Sequence, residues 1–396
     1  MKILIVTLRV PYPPKDGGAI AMYQVIQSLA LAGHQLTLAM LNTKKHFADP
    51  AALKTYSSSL YAYTIDTTPR LSMAFKSFLW GKIPYNIERF FHPGFEKLLV
   101  EILTQNHFDI IHLEGTYLST YAPLIKKQTQ APLVLRAHNI EYEIWQRLAK
   151  VTPFYWPPKW YYYYLAQKGK KFEKQYIHFF DGIIPITQKD AAAFQKLGYT
   201  KPLRVIPACV SIPSPKTPLE ESPTIERSCC FLGSLDWRAN QQGLYWFLKK
   251  VWKNLATQGE FHIAGRNLPE SLKELRAPRV FVHGEIPDAL AFLRRYTLVI
   301  IPLFAGSGMR IKIIEAMSIG KCVISTSLGL EGIEGKDGVH FVVANTPNEF
   351  IEKIVYYWQH PQERQKIELQ AQNLVASNYN CNQLAKLFEQ FYQTLL

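Results

Sequence analysis

From Ala305 to Thr326 the chain reads AGSGMRIKIIEAMSIGKCVIST, residue types and spacing suited to holding a phosphorylated ligand. Gly306 and Gly308 let the backbone come close, and a helix opening near Met309 would direct N–H groups and the positive end of its dipole outward. Arg310 and Lys312 add full charges. One turn on, Glu315 shares a face with Lys312, where a carboxylate can accept both vicinal hydroxyls of a ribose. The competing reading is a surface helix with a Lys312–Glu315 pair three residues apart, worth only about 0.2–0.5 kcal/mol. The next turn is apolar, so a carboxylate without a partner there would be costly.

Other loops offer polar groups of the same kind. Gly17 and Gly18, in PPKDGG, permit close approach of backbone to a donor phosphate or an acceptor, or form a simple turn. His138, Asn139 and Glu141 follow a short apolar run; Asn139 and Glu141 could bind acceptor hydroxyls or cap the next helix. Gly233 permits close approach at a strand end, and Arg266 with Asn267 occupies a similar loop, where a surface salt bridge is the alternative for Arg266. No Asp-x-Asp pair and no His-x-x-x-His spacing occurs, so no metal and no cofactor is expected. The charge of a bound phosphate would then fall to Arg310, Lys312 and a helix N-terminus.

The elements that must position these loops read as two α/β domains. At 396 residues the chain exceeds what one hydrophobic core usually serves. Apolar runs at 3–8, 36–41, 60–65, 110–113, 133–135, 183–186 and 204–206 alternate with helical stretches, the pattern of a two-sided parallel sheet. The alternation restarts at 229–235, 261–264, 280–283, 298–304, 322–326 and 340–343. The expected organisation is a first Rossmann-like domain over 1–210, a Pro-rich linker over 211–228 and a second Rossmann-like domain over 229–377. A C-terminal helix over about 378–396 is placed where it could return to the first domain. Ligands of doubly wound sheets bind beyond the carboxyl ends of the strands, so two such domains would face each other across a ligand-holding cleft.

Charge is uneven: residues 1–205 hold 25 Lys and Arg against 13 Asp and Glu, or +12, of a total of +14. That excess favours an anionic partner, and the segments 153–174 and 73–80, where Trp and Tyr neighbour lysines, suit the headgroup region of an anionic membrane. The alternative is a helix that packs its aromatics inward. Nucleic acid is disfavoured, because the basic residues are spread through an α/β domain without a recognition motif. No run approaches the roughly 20 apolar residues of a membrane span. The five cysteines suggest no disulfide framework and no zinc site, which fits a cytoplasmic protein, peripheral at most at the inner face of the membrane.

The stretch 307–331, together with Gly17–Gly18, RAHNIEYEIW from Arg136, FLGSLDWRANQQGLYWF from Phe231, FHIAGRN from Phe261 and VHGEIPD from Val282, resembles the retaining glycosyltransferases of family four over essentially the whole chain. The resemblance implies the GT-B type fold, a UDP- or GDP-sugar as co-substrate, and a hexose-type sugar passed with retention to a glycan or lipid-linked acceptor in cell-surface polysaccharide or glycolipid synthesis. It implies a ribose contact for Glu315, a donor-sugar contact for His138, a diphosphate cation at Arg238 and a sugar-side loop at Glu331. The family's first glutamate corresponds to Ser307, which carries no charge, and the backbone near Gly308 and Met309 would take over part of its contact. A non-catalytic binding protein on the same fold and a nucleotide-sugar epimerase are the alternatives.

Overall fold

The computed structural model describes residues 1–14, 16–212, 224–273, 277–306 and 308–396. Two six-stranded, wholly parallel sheets organise them. The first comprises β1 (Lys2–Thr7), β2 (Gln35–Thr43), β3 (Ser59–Ile65), β4 (Ile110–Glu114), β5 (Leu133–Ala137) and β6 (Gly182–Pro185), in the order β3-β2-β1-β4-β5-β6. The second comprises β7 (Ile225–Leu232), β8 (Glu260–Ala264), β9 (Val280–Gly284), β10 (Tyr296–Ile301), β11 (Cys322–Ser325) and β12 (Val342–Val343), in the order β12-β11-β10-β7-β8-β9. Counted within its own sheet, the second repeats the order of the first. The connection order reverses beside the leading strand of each, between β1 and β4 and between β7 and β10, the switch points where such sheets open to ligands.

The local sequence explains the elements. Every residue of β4, β5 and β10 is buried, because helices cover both faces of a parallel sheet. Helices start at polar caps: Asp16 accepts from the Ala19 N–H, Thr187 from Asp190, Asp288 from Leu290 and Ala291, and Thr346 from Glu349. Proline opens the helices Pro93–Gln105, Pro158–Tyr176, Pro347–Gln359 and Pro361–Asn378, where its missing N–H costs nothing. Each sheet carries its own apolar core.

The chain divides into two compact units, residues 1–208 with 381–396, and residues 209–380. The C-terminal helix Leu384–Gln393 belongs to the first unit, burying Phe388, Phe391 and Tyr392 there. A Cβ on Gly182 of β6 would come within 2.8 Å of the Phe391 ring, so this helix packs directly on the sheet.

Three expectations change. The segment 204–206 is not a seventh strand: Leu203 makes an isolated bridge to Ile183, and although the Arg204 and Ile206 N–H groups donate to the Ile183 and Pro185 carbonyls, Pro185 of β6 has no N–H to return, so the pairing does not continue. The expected linker over 211–228 lies at 213–223 outside the described residues, and from Ile225 onward the chain is already β7. Cys229, Cys230 and Cys322 are buried free thiols, but Cys209 and Cys381 are disulfide-bonded, so a chain without disulfides is corrected.

Candidate functional site

In the second unit, the loops after β7, β8, β10 and β11 carry the expected ligand-holding residues. After β10, Gly306 and Gly308 adopt φ of 124° and 74°, left-handed values that glycine reaches without strain. Arg310 bends back across this loop, its Nη1 donating to the Gly308 carbonyl. A Cβ on Gly306 would lie 2.6 Å from Arg310 Nη2, so the glycine leaves room for the guanidinium. The helix Ile311–Ser318 begins two residues later than the expected start at Met309, with Arg310 at the capping position and making no cap hydrogen bond through its side chain. Met309 is buried, and Ser307 lies outside the described residues.

Lys312 Nζ lies 2.7 Å from Glu315 Oε2, close enough for an ion pair but not aligned as a hydrogen bond. Both side chains remain partly exposed, at 27% and 18%. Glu315 is therefore held by charge attraction, with its Oε2 buried and the rest of the side chain partly exposed. Arg238 opens the helix Arg238–Lys250 rather than lying in a loop, and Gly233 and Arg266 follow β7 and β8. The backbone joins these loops: Gly233 N–H donates to Ala264 at 3.2 Å and Leu235 N–H to Arg266 at 2.9 Å. Glu331 sits in the turn after β11, its N–H donating to Leu328 at 3.3 Å.

In the first unit, Asp16 takes up the start of the helix Gly17–Leu31 and forms a two-pronged pair with Arg9. What Gly18 accommodates is the Arg9 guanidinium, 3.1 Å from where its Cβ would be.

His138 directly follows β5, at the carboxyl end of the sheet, with 17% of its side chain exposed. Its Nε2 lies 2.6 Å from Glu114 Oε2. Glu114 ends β4 and is wholly buried; its other oxygen is 2.9 Å from His112 Nε2 and 3.5 Å from Arg136 Nη1. Burial pushes the Glu114 carboxyl up, but the Arg136 charge and the hydrogen bonds from His112 and His138 outweigh it and hold the group well below the usual carboxylate range. Glu114 and Arg136 are register partners on adjacent strands, and the Arg136 guanidinium also donates to the Ala21 carbonyl at 3.1 Å. His112 Nδ1 reaches the buried Tyr392 hydroxyl of the C-terminal helix at 2.6 Å.

Glu141 opens the helix Glu141–Val151, three residues beyond His138, with Asn139 between. It accepts from the Tyr117 hydroxyl at 2.9 Å, and Asn86 donates to that hydroxyl at 3.4 Å. The helix start is capped by Glu173, whose two oxygens accept from the Glu141 and Tyr142 N–H groups at 3.0 and 3.2 Å. Burial pushes Glu141 up to about 7 and Glu173 up to about 8, despite the donors each receives.

Sequence reasoning missed Glu114, His112, Arg136, Tyr392 and Glu173. A signal existed for the first three: IIHLE and LVLRA place charges inside strands otherwise apolar, and a charge buried in a central strand requires a partner. No local pattern marks Tyr392 as their partner, or Glu173 as the cap of the helix Glu141–Val151.

A family model described as Glycosyltransferase Family 4 matches residues 15–212, half of the chain, and one described as Glycosyl transferases group 1 matches 226–360. The chain belongs to the GT-B glycosyltransferases. This glycosyltransferase is 25% identical, over 96% of each chain, to an uncharacterized 44.6 kDa protein in the cps region of Klebsiella pneumoniae. Among solved structures it resembles Anabaena Alr3699/HepE in complex with UDP, at a TM-score of 0.68 and 17% identity covering both chains fully. It also resembles the apo form of the lipopolysaccharide outer core galactosyltransferase WaaB, at 0.60 and 16%, again over both chains fully. Among the described residues of the glycosyltransferase, no group of three or more His, Cys, Asp or Glu could hold a metal ion, and no helix is long and apolar enough to cross a membrane.

Proposed function

We propose that this glycosyltransferase transfers a hexose-type sugar from a UDP- or GDP-sugar, with retention and without a metal, to a glycan or lipid-linked acceptor in cell-surface polysaccharide or glycolipid synthesis. The observation that carries the donor reading is the segment from Gly306 to Glu315, where glycines, Arg310, Lys312 and a helix start precede a partly exposed carboxylate. Arg310, Lys312 and the helix start would meet the charge of the departing diphosphate, with Arg238 adding a further cation; Glu315 would hold the ribose. His138 would contact the transferred sugar, Gly233, Arg266, Gly308, Met309 and Glu331 would line the donor, and Asn139 and Glu141 would receive acceptor hydroxyls. The UDP in the HepE complex supports a uridine donor, and the relative from a cps region supports polysaccharide synthesis.

The acceptor side includes contact with an anionic membrane surface. Phe154, Tyr155, Trp156, Trp160 and Tyr163 are exposed, and so is Trp80 on the helix Leu71–Trp80. The two stretches meet: Phe78 and Tyr164 rings lie 4.6 Å apart, and Lys168 Nζ donates to the Ser77 carbonyl at 2.7 Å. Exposed Lys170, Lys171 and Lys174 continue the Pro158–Tyr176 helix beside this aromatic face. A headgroup layer would take rings and cations together.

Thermal stabilisation by UDP-, GDP-, ADP-, TDP- and CMP-sugars, with NAD as control, tests the donor. Ligand at 100 times its dissociation constant adds about 2.7 kcal/mol of stability. A shift with one nucleotide class, abolished in Glu315→Ala, is expected; silence across the panel would favour a non-catalytic protein on this fold.

A further inference from the structure

Four side chains from three separate parts of the chain form one line that ends at His138, and the three behind it are buried. Tyr392 of the C-terminal helix reaches His112 Nδ1 at 2.6 Å, His112 Nε2 reaches Glu114 at 2.9 Å, and Glu114 reaches His138 Nε2 at 2.6 Å. Tyr392, His112 and Glu114 are wholly buried, and His138 alone has appreciable exposure.

The proton arrangement follows from the partners. An ionised carboxylate only accepts hydrogen bonds, so both imidazoles must present N–H to Glu114. His112 then carries its proton on Nε2 and accepts from the Tyr392 hydroxyl on Nδ1. His138 likewise carries a proton on Nε2, so its changeable position is Nδ1. Arg136 balances the single buried negative charge, held in place by the Ala21 carbonyl and lying 5.4 Å over the Phe388 ring. Tyr392 and Phe388 both belong to the helix Leu384–Gln393, so the last residues of the chain secure the line.

We propose that Glu114 is a positioning residue for sugar transfer, fixing the ring orientation and Nε2–H tautomer of His138, with His112 and Tyr392 as the outer members that hold Glu114. The inference rests on the reading that His138 faces the transferred sugar. A carboxylate that orients an imidazole preserves one tautomer through a reaction cycle, a role in which replacing the carboxylate by its amide leaves shape intact but allows the other tautomer.

The test combines a spectroscopic and a kinetic readout on the full chain. Histidine 15N shifts should show His138 as the Nε2–H tautomer in the wild-type protein and a mixture in Glu114→Gln. With the donor identified in the thermal panel, Glu114→Gln should lower kcat about 100-fold, with donor KM changed less than about threefold, and the double variant with His138→Ala should be no slower than His138→Ala alone. Tyr392→Phe, which removes only a hydroxyl, should lower kcat about three- to tenfold and serves if Glu114→Gln does not fold. Full activity in Glu114→Gln, a loss that adds to that of His138→Ala, or an unchanged His138 tautomer would overturn the proposal. If the wild-type protein transfers no sugar, the donor reading fails, while the 15N shifts still decide whether Glu114 sets the tautomer.

Discussion

At the scale of the residue, the chain uses buried carboxylates in opposite ways. Glu114 sits against a guanidinium and two imidazoles and stays ionised, whereas Glu141 and Glu173 lie near each other without a cation and are pushed up to about 7 and about 8. A carboxyl whose folded value is raised binds its proton more tightly when folded, so its stabilising contribution is full below the ordinary value near 4.5 and is lost as pH rises through about 8. Glu173→Gln removes the charge but offers one acceptor oxygen where the carboxyl offers two to the Glu141 and Tyr142 N–H groups, so it should start somewhat below the wild-type protein in denaturant melts near pH 5. It should gain on the wild-type protein toward pH 8.5, by at most about 1.4 kcal/mol per pH unit. On the donor side, Glu315→Ala should weaken binding of the nucleotide sugar by about 1.5–3 kcal/mol, measured by calorimetry, the usual worth of a charge-assisted hydrogen bond. A loss under twofold would remove Glu315 from the ribose.

At the scale of the element, the loop after β10 depends on how closely one helix approaches. Gly243, in the helix Arg238–Lys250, would place a Cβ 1.9 Å from the Pro302 carbonyl, so its absence lets this helix lie on the chain just after β10. Gly243→Ala has a rigid backbone carbonyl to displace. It should cost about 1–3 kcal/mol in thermal melts and, by shifting Arg238 against the Gly306–Arg310 loop, weaken donor binding as well. Each strand with its following loop was legible in the sequence, because apolar runs bounded by glycine and polar residues have few alternatives. The start of the helix Ile311–Ser318 was read two residues early, since nothing local separates a loop glycine from a first turn. The segment 204–206 has strand composition and donates to β6 from Arg204 and Ile206, but Pro185, which ends β6, has no N–H with which to continue the ladder.

At the scale of the whole molecule, the free-thiol count and the aromatic face carry predictions. Under denaturing, non-reducing conditions a thiol reagent should find three reactive cysteines, Cys229, Cys230 and Cys322, and five after reduction. Five from the start would mean that Cys209 and Cys381 are reduced, as a reducing compartment favours. Vesicles containing anionic lipid should retain the protein at low salt, and Trp156→Ala with Trp160→Ala should release it; equal retention by neutral vesicles would count against the charge contribution. What the sequence determined by itself is the doubly wound character of both units and the glycine loop and helix that follow β10, because periodicity and glycines act over a few neighbouring positions. Tertiary structure alone decided what stands behind His138: Glu114 and Arg136 meet through strand register, and Tyr392 arrives 280 residues after His112 in the chain. A buried charge announces in sequence that it needs partners, but only the packed sheet and the returning helix select which ones.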